Sequence, residues 1–369
     1  MYCAKKQETI LIVDDEPVNI DILSSLLQED YKIKAVTSGD KALQIARSTA
    51  DLDLILLDIM MPGMDGYEVC RQLKADPATA AIPVIFITAM TDLENEQQGL
   101  EFGAVDYITK PISPSIVKAR VNTHLCLKEM RDDLGRMVEQ RTMELELTQD
   151  ATILAMASLA ETRDNETGNH IRRTHHYVLA LAEHLQDKPT YLGYFDKETI
   201  RLLHKSAPLH DIGKVGIPDH ILLKPGRLTT EEFTIMKTHT SLGRDSIQGA
   251  VKFLGDNSFL RFASDISISH HEKWDGSGYP FHLKGEEIPF AGRLMAVADI
   301  YDALISKRVY KPPFPHSKAV KIITEGDGRT LPDHFDPMIL QAFSEIKEQF
   351  RDIALQYVDH DEERQALAC

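Results

Sequence analysis

Ile10-Leu11-Ile12-Val13-Asp14-Asp15-Glu16 decides the fold of the first third of this chain. Four apolar residues run unbroken into three carboxylates. An unbroken apolar run, as opposed to an alternating one, marks a strand buried on both faces. Similar runs recur at Leu54–Leu57 and Val84–Ile87, with weaker ones at Ile33–Val36 and Val105–Ile108. Helix-period stretches such as Val18–Leu27 and Gly66–Leu73 separate them. Over residues 8–112 this alternation predicts an α/β doubly wound domain with a parallel five-stranded sheet. Such sheets take their ligands beyond the carboxyl ends of the strands.

The residues at those ends are polar in a set order. Asp14 and Asp15 close the first strand, Asp58 the third and Thr88 the fourth, and Lys110-Pro111 follows the fifth. Three carboxylates at one sheet edge suit a hard cation such as Mg²⁺. One strand-end aspartate would be read as a helix cap; five such features in order make a site.

These motifs (Val13-Asp14-Asp15-Glu16, Leu57-Asp58, Met61-Pro62-Gly63-Met64-Asp65-Gly66, Thr88-Ala89 and Lys110-Pro111) resemble the receiver domain of two-component response regulators. The resemblance covers about 120 residues. It implies that Asp58 is the phosphoacceptor and that a cognate histidine kinase is a partner. It further implies Mg²⁺ held by Asp14, Asp15 and Asp58 with the Met60 carbonyl. Thr88, Tyr107 and Lys110 would form the relay that senses the phosphoryl group, and the peptide before Pro111 is expected to be cis.

Residues 113–150 change character. Leu127, Met130, Leu134, Val138, Arg141, Leu145 and Thr148 recur at spacings of three and four, the seam of a long helix that could pair with its copy in a homodimer. Arg141 and Thr148 weaken the seam, and Gly135 is its one poor helix former. The expected organisation is a first domain over 1–122, a helical or coiled-coil linker over 123–150, and a second domain over 151–369 that is almost entirely helical.

That second domain carries an unusual density of metal-ligand side chains. His210-Asp211, His239, His270-His271 and Asp299 follow Glu166 and His170, which are four residues apart. Imidazoles and carboxylates in this mixture suit Mn, Fe or Zn, and there are more of them than one ion can use. Two or more ions about 3.5–4 Å apart are the usual apparatus for phosphodiester hydrolysis. Neighbouring ligands cannot share one helix face cleanly, so Asp211 is expected to bridge two ions while His210 serves one. His175, His176 and His184 are read as surface or satisfied helix residues.

His210-Asp211-Ile212-Gly213-Lys214 and His270-His271-Glu272 through Gly278-Tyr279-Pro280 resemble the HD-GYP family of cyclic-dinucleotide phosphodiesterases, from about Ala155 to about Pro337. The resemblance implies an all-α HD-type metal-dependent phosphohydrolase domain. Its ligands would be Glu166, His170, His210, Asp211, His239, His270, His271 and Asp299, holding two or three divalent ions, with iron the family's usual metal and manganese an alternative. Asp211 and Lys214 would be catalytic. Lys214, Tyr279, Asp302, Arg308 and Lys311 would contact substrate, with Asp302 orienting water. The loop Gly326–Asp333 departs from the family's shorter Gly-rich version but carries no expected ligand.

Composition bounds the partners. A net charge of −16 lacks the basic footprint of a DNA- or RNA-binding protein. No run of 18 apolar residues exists to span a membrane. The opening residues do not read as a signal peptide. The four cysteines show neither a disulfide framework nor CxxC spacing, which fits a cytoplasmic protein. Together these readings point to a response regulator that hydrolyses cyclic di-GMP to pGpG or GMP. The rival readings are a cyclic-dinucleotide sensor without turnover and a phosphodiesterase acting on cyclic GMP-AMP.

Overall fold

A computed structural model describes residues 7–49, 51–89, 102–163, 168–188, 195–255, 258–307 and 312–368. The chain divides into two compact units, Met1–Met143 and Glu144–Cys369.

The first unit is built on strands β1 (Thr9–Val13), β2 (Lys32–Val36), β3 (Leu52–Asp58), β4 (Val84–Thr88) and β5 (Asp106–Thr109). They form one parallel sheet in the order β2-β1-β3-β4-β5. The unbroken apolar runs are explained by burial on both faces. Leu11, Val13, Ile55, Leu57 and Phe86 pack with Ala42 of α2 (Gly39–Ser48) and Val69 of α3 (Gly66–Ala75). Ile10, Ile12, Leu54, Leu56, Ile85 and Ile87 point the other way, onto Leu23 and Leu27 of α1 (Pro17–Leu27). Successive residues alternate faces because the strand period is two.

Helix α4 runs unbroken from Pro114 to Glu161, about 70 Å at 1.5 Å per residue. The expected 123–150 linker is therefore the middle of a single helix. Val117, Val121 and Leu125 belong to the sheet's core, Leu134, Val138 and Leu145 are exposed, and Ile153, Ala157 and Ala160 are buried again. Gly135 has open space where its Cβ would be and does not interrupt the helix.

The second unit is helical: α5 (Gly168–Gln186), α6 (Lys197–Ser206), α7 (Asp219–Leu222), α8 (Thr230–Lys237), α9 (His239–Leu254), α10 (Ser258–Ser269), α11 (Phe290–Ile305), α12 (His316–Glu325), α13 (Pro337–Gln356) and α14 (Asp361–Leu367). Its core joins Tyr177 and Leu181 of α5 to Leu294 and Tyr301 of α11 and to Phe343 and Phe350 of α13. Stacking of Tyr177 on Phe350, with ring centroids 4.5 Å apart, fixes α5 against α13. Among the described residues no helix is long and apolar enough to cross a membrane.

Candidate functional site

The ligands expected in the second unit come from ends and turns of helices that the core holds together. His170 lies in the first turn of α5. After α6 a 3-10 turn, Ala207–Leu209, delivers His210 and Asp211. A second such turn, Ile212–Gly216, then packs against α9. Gly213 makes that packing possible, because a Cβ there would sit 1.9 Å from the His239 carbonyl oxygen. His239 opens α9, His270 and His271 follow α10, and Asp299 projects from α11.

Two donor groups result, His170 with His210 and Asp299, and Asp211 with His239, His270 and His271. Hydrogen bonds fix the histidine tautomers. His170 Nδ1 is 2.8 Å from Asp302, His210 Nδ1 is 3.1 Å from the Ala207 carbonyl, and His239 Nδ1 is 2.8 Å from the Met236 carbonyl. His270 Nδ1 faces the Ile266 carbonyl at 3.0 Å. With Nδ1 donating, a neutral ring keeps its lone pair on Nε2, the arrangement that metal-bound histidines use.

The Nε2 atoms of His210, His239 and His270 converge on Asp211. Its Oδ2 lies 3.4 Å from His210 Nε2, and its Oδ1 lies 3.3 Å from His239 Nε2 and 3.5 Å from His270 Nε2. Asp211 Oδ1 and the Nε2 atoms of His239 and His270 are buried and make no hydrogen bond among the described residues. Lone pairs facing one another in a dry interior are unfavourable unless a cation lies between them. The donor set therefore fits divalent ions, with Asp211 positioned to serve both groups.

Charge supports the same reading. Burial works to raise the Asp211 carboxyl, but Lys214 and His210 outweigh it and hold the group well below the usual range. Lys214 Nζ is 2.8 Å from Asp211 Oδ2. Burial pushes His239 down to about 4 and His271 well below the ordinary imidazole value, so both rings stay neutral and able to ligate.

Asp302 is a correction to the expected substrate contacts. It is fully buried, and its two oxygens are taken by Arg173 at 2.6 and 2.9 Å and by His170 Nδ1. Burial opposes its ionisation, yet Arg173 overcomes this and keeps the carboxylate charged. Asp302 thus orients His170 instead of touching a substrate. Glu161, at the end of α4, was not foreseen. It is 3 % exposed, and its Oε1 lies 3.9 Å from His170 Nε2. The signal was available, because Ile153, Ala157 and Glu161 follow at helical spacing on one buried face.

The loop after His271 is shaped by Glu272, whose buried carboxylate accepts the backbone N–H groups of Phe281 and Leu283 at 2.7 and 3.1 Å. Gly278 is required there, since a Cβ would lie 2.4 Å from the Lys273 nitrogen. Tyr279 is carried against His271, ring centroids 4.8 Å apart, and its far side approaches Phe233 and Lys237. Glu166, Arg308 and Lys311 lie outside the described residues.

In the first unit Asp14, Asp15 and Asp58 come together at the carboxyl edge of the sheet. Lys110 Nζ is 3.1 Å from both Asp14 and Asp58. One ammonium among three carboxylates leaves the cluster negative, which fits a small divalent cation. Burial raises the Asp58 carboxyl against the opposing pull of Lys110, and the Met60 backbone N–H bonds to it. Thr88 is buried at the end of β4, and its carbonyl accepts the Lys110 N–H at 2.7 Å. Tyr107 is half-buried under Arg120, and the Lys110-Pro111 peptide is cis.

Comparison with known proteins agrees with this division. A family model described as the response regulator receiver domain matches residues 10–122, and one described as the HD domain matches residues 154–339. A probable cyclic di-GMP phosphodiesterase of Vibrio cholerae serotype O1 is 50% identical over 363 residues, covering 96% of this chain and 81% of that protein. A cyclic di-GMP phosphodiesterase of the same organism is 52% identical over 64% of this chain, which spans 47% of that relative's length. The cyclic di-GMP phosphodiesterase response regulator RpfG of Xanthomonas campestris pv. campestris is 35% identical, covering 94% of this chain and 90% of that protein.

Proposed function

The chain belongs to the family of response regulators that join a receiver domain to an HD domain, and on that premise we propose that it hydrolyses cyclic di-GMP to linear pGpG, with GMP after a second cut, under control of phosphorylation at Asp58. It is a metal-dependent phosphodiesterase. The observation that carries the reading is the convergence of the His210, His239 and His270 Nε2 lone pairs on the Asp211 carboxylate.

We assign two or three divalent ions, iron or manganese, to this centre. His170, His210 and Asp299, with Glu166 as a further ligand, would hold one side. His239, His270 and His271 would hold the other, with Asp211 shared. When bound, such ions would lower the pKa of the attacking water, so that it is nucleophilic near neutral pH, and would neutralise the phosphodiester charge.

The side chains do the rest. Lys214, fixed at 2.8 Å from Asp211, places an ammonium beside the shared carboxylate, where it can hold a phosphate oxygen as charge develops. Asp302 keeps the proton on His170 Nδ1 and so aims Nε2 inward. Tyr279, beside His271, borders the place where a guanine base would lie, and Arg308 and Lys311 are the proposed phosphate grips.

In the receiver, a Mg²⁺ held by Asp14, Asp15, Asp58 and Met60 would accompany transfer of a phosphoryl group from a histidine kinase to Asp58. Lys110, already on Asp58, would follow the new charge together with Thr88 and Tyr107. We assign the exposed seam on α4, including Leu134, Val138 and Leu145, to pairing with a second copy of the chain.

Product analysis tests the activity. Protein purified anaerobically with Fe²⁺ or Mn²⁺ and given cyclic di-GMP is expected to yield pGpG or GMP by chromatography, and the His210→Ala/Asp211→Ala variant neither. Tight binding without turnover, in protein shown to be metal-loaded, would make the chain a receptor instead. Cyclic GMP-AMP offered in competition measures the preference between the two dinucleotides.

A further inference from the structure

We propose that His175, His176 and His204 form a second transition-metal site in the helical unit, separate from the centre around Asp211, for a borderline divalent ion such as Zn²⁺. Sequence alone treats His175 and His176 as ordinary helix residues. His184, on the same helix, behaves that way, with its Nε2 2.7 Å from Glu345. The other two do not.

The three rings pack on one another where α5 meets α6. Centroids are 4.3 Å apart for His175 and His176, 4.4 Å for His175 and His204, and 5.4 Å for His176 and His204. One ring nitrogen from each lies within 4.8 Å of the others. His176 Nδ1 and His204 Nε2 are buried and make no hydrogen bond among the described residues. A buried ring nitrogen without a partner is a standing cost that a bound ion removes.

Further features match what an imidazole site requires. His176 Nε2 is 3.0 Å from the Tyr357 hydroxyl, so its N–H can donate outward while Nδ1 faces inward, the usual support for a ligating ring. The Asp150 carboxylate lies nearby, raising the neighbouring His204 while paired with Lys205 at 2.8 Å, and it or a water can complete the shell. Burial holds His175 at about 2 and His204 at about 4, and lowers His176. All three are therefore neutral near pH 7, the form that binds metal. The His175 and His204 planes are only 15° apart, so one ring must turn about its Cβ–Cγ bond for both lone pairs to reach one ion.

Position suggests what occupancy does. His175 and His176 follow His170 closely on α5, and His204 precedes His210 by six residues. An ion here would clip together the two segments that deliver His170 and His210.

The test is metal content of the full chain, stripped with a chelator, equilibrated with Zn²⁺ and passed through gel filtration. Wild type is expected to carry one more ion per chain than His176→Gln/His204→Gln. That variant should keep its phosphodiesterase turnover after reconstitution with Mn²⁺ to within about twofold. Equal Zn²⁺ content in the two proteins overturns the proposal. Should the double variant fail to fold, His176→Gln alone decides, because His176 is only partly buried. It is expected to weaken the additional ion at least tenfold, and unchanged affinity overturns the site.

Discussion

His170 Nε2 and His210 Nε2 lie 3.4 Å apart in the buried centre of the helical unit, although the Nδ1 of each ring already faces an acceptor. Two imidazoles can share one proton across such a gap or share a metal ion, and the carboxylates around them favour the ion. The consequences can be measured one residue at a time.

Asp302 holds His170 Nδ1 without reaching the ligand space. Asp302→Asn keeps the shape but removes the charge that pairs with Arg173. Metal affinity is expected to drop about 10–100-fold. Elemental analysis after dialysis checks this, and excess Mn²⁺ should restore much of the turnover. Asp302→Ala should instead destabilise the fold by about 1–3 kcal/mol, because Arg173 loses two of its hydrogen bonds and keeps Asp359, the Tyr357 carbonyl and Ser306.

Gly213→Ala tests the approach of the HD turn to α9. A Cβ 1.9 Å from the His239 carbonyl oxygen cannot be accommodated without moving that backbone. Overpacking of this kind costs about 1–3 kcal/mol or more. We expect a lower denaturation midpoint together with lost metal. A change at Gly135, where the space is open, should shift neither in the damaging direction, since Gly135→Ala in a helix is stabilising by about 0.5–1 kcal/mol.

Asp58→Ala should leave basal hydrolysis of cyclic di-GMP intact and abolish its response to a small-molecule phosphodonor. Turnover with and without the phosphodonor, in wild type and variant, is the measurement. A response that survives in the variant would remove Asp58 from the regulatory scheme.

Leu134→Asp/Val138→Asp puts charge on the exposed seam of α4. Sedimentation should show a dimer for wild type and a monomer for the variant, with the helical content unchanged. Identical sedimentation of the two proteins would take the seam out of the assembly.

The histidine cluster predicts an acid-sensitive fold in metal-free protein. The groups involved are His175, His176 and Arg172 on α5, His204 and Lys205 on α6, and Asp150 on α4. His204 moves from an ordinary 6.5 down to about 4 on burial. Between those values the unfolded chain binds a proton that the folded chain refuses, so stability is complete above pH 6.5 and is lost as the pH falls toward 4. The contribution of His204 is on the order of 2–3 kcal/mol at pH 4. The urea midpoint of wild type should therefore fall further than that of His204→Gln as the pH is lowered through this window. Parallel curves would contradict it.

Much of this was legible because the relevant signals are local. The strands β1, β3 and β4 are apolar without interruption, and burial on both faces leaves no other use for such runs. His210-Asp211 and His270-His271 declared themselves by chemistry, since adjacent ligands at the ends of helices have few structural roles. The position of Gly278 was part of a recognisable loop, and its reason, the backbone of Glu272 and Lys273 within van der Waals contact, needed only one close approach.

Sequence by itself thus determined the α/β sheet of the first unit, the helical character of the second and the supply of imidazoles and carboxylates there, because periodicity and side-chain chemistry act over a few neighbours. Tertiary structure alone decided what each of those residues faces. Asp302 and Asp299 are three residues apart on one helix, yet one is sealed against Arg173 and the other lies at the His170 donor group. Glu161 and the histidines of α5 and α6 acquired their neighbours only when successive helices packed together. The physical reason is that helical spacing sets which face a side chain occupies, whereas the partner across that face is chosen by how the cores of Tyr177, Tyr301 and Phe350 lock the helices in place.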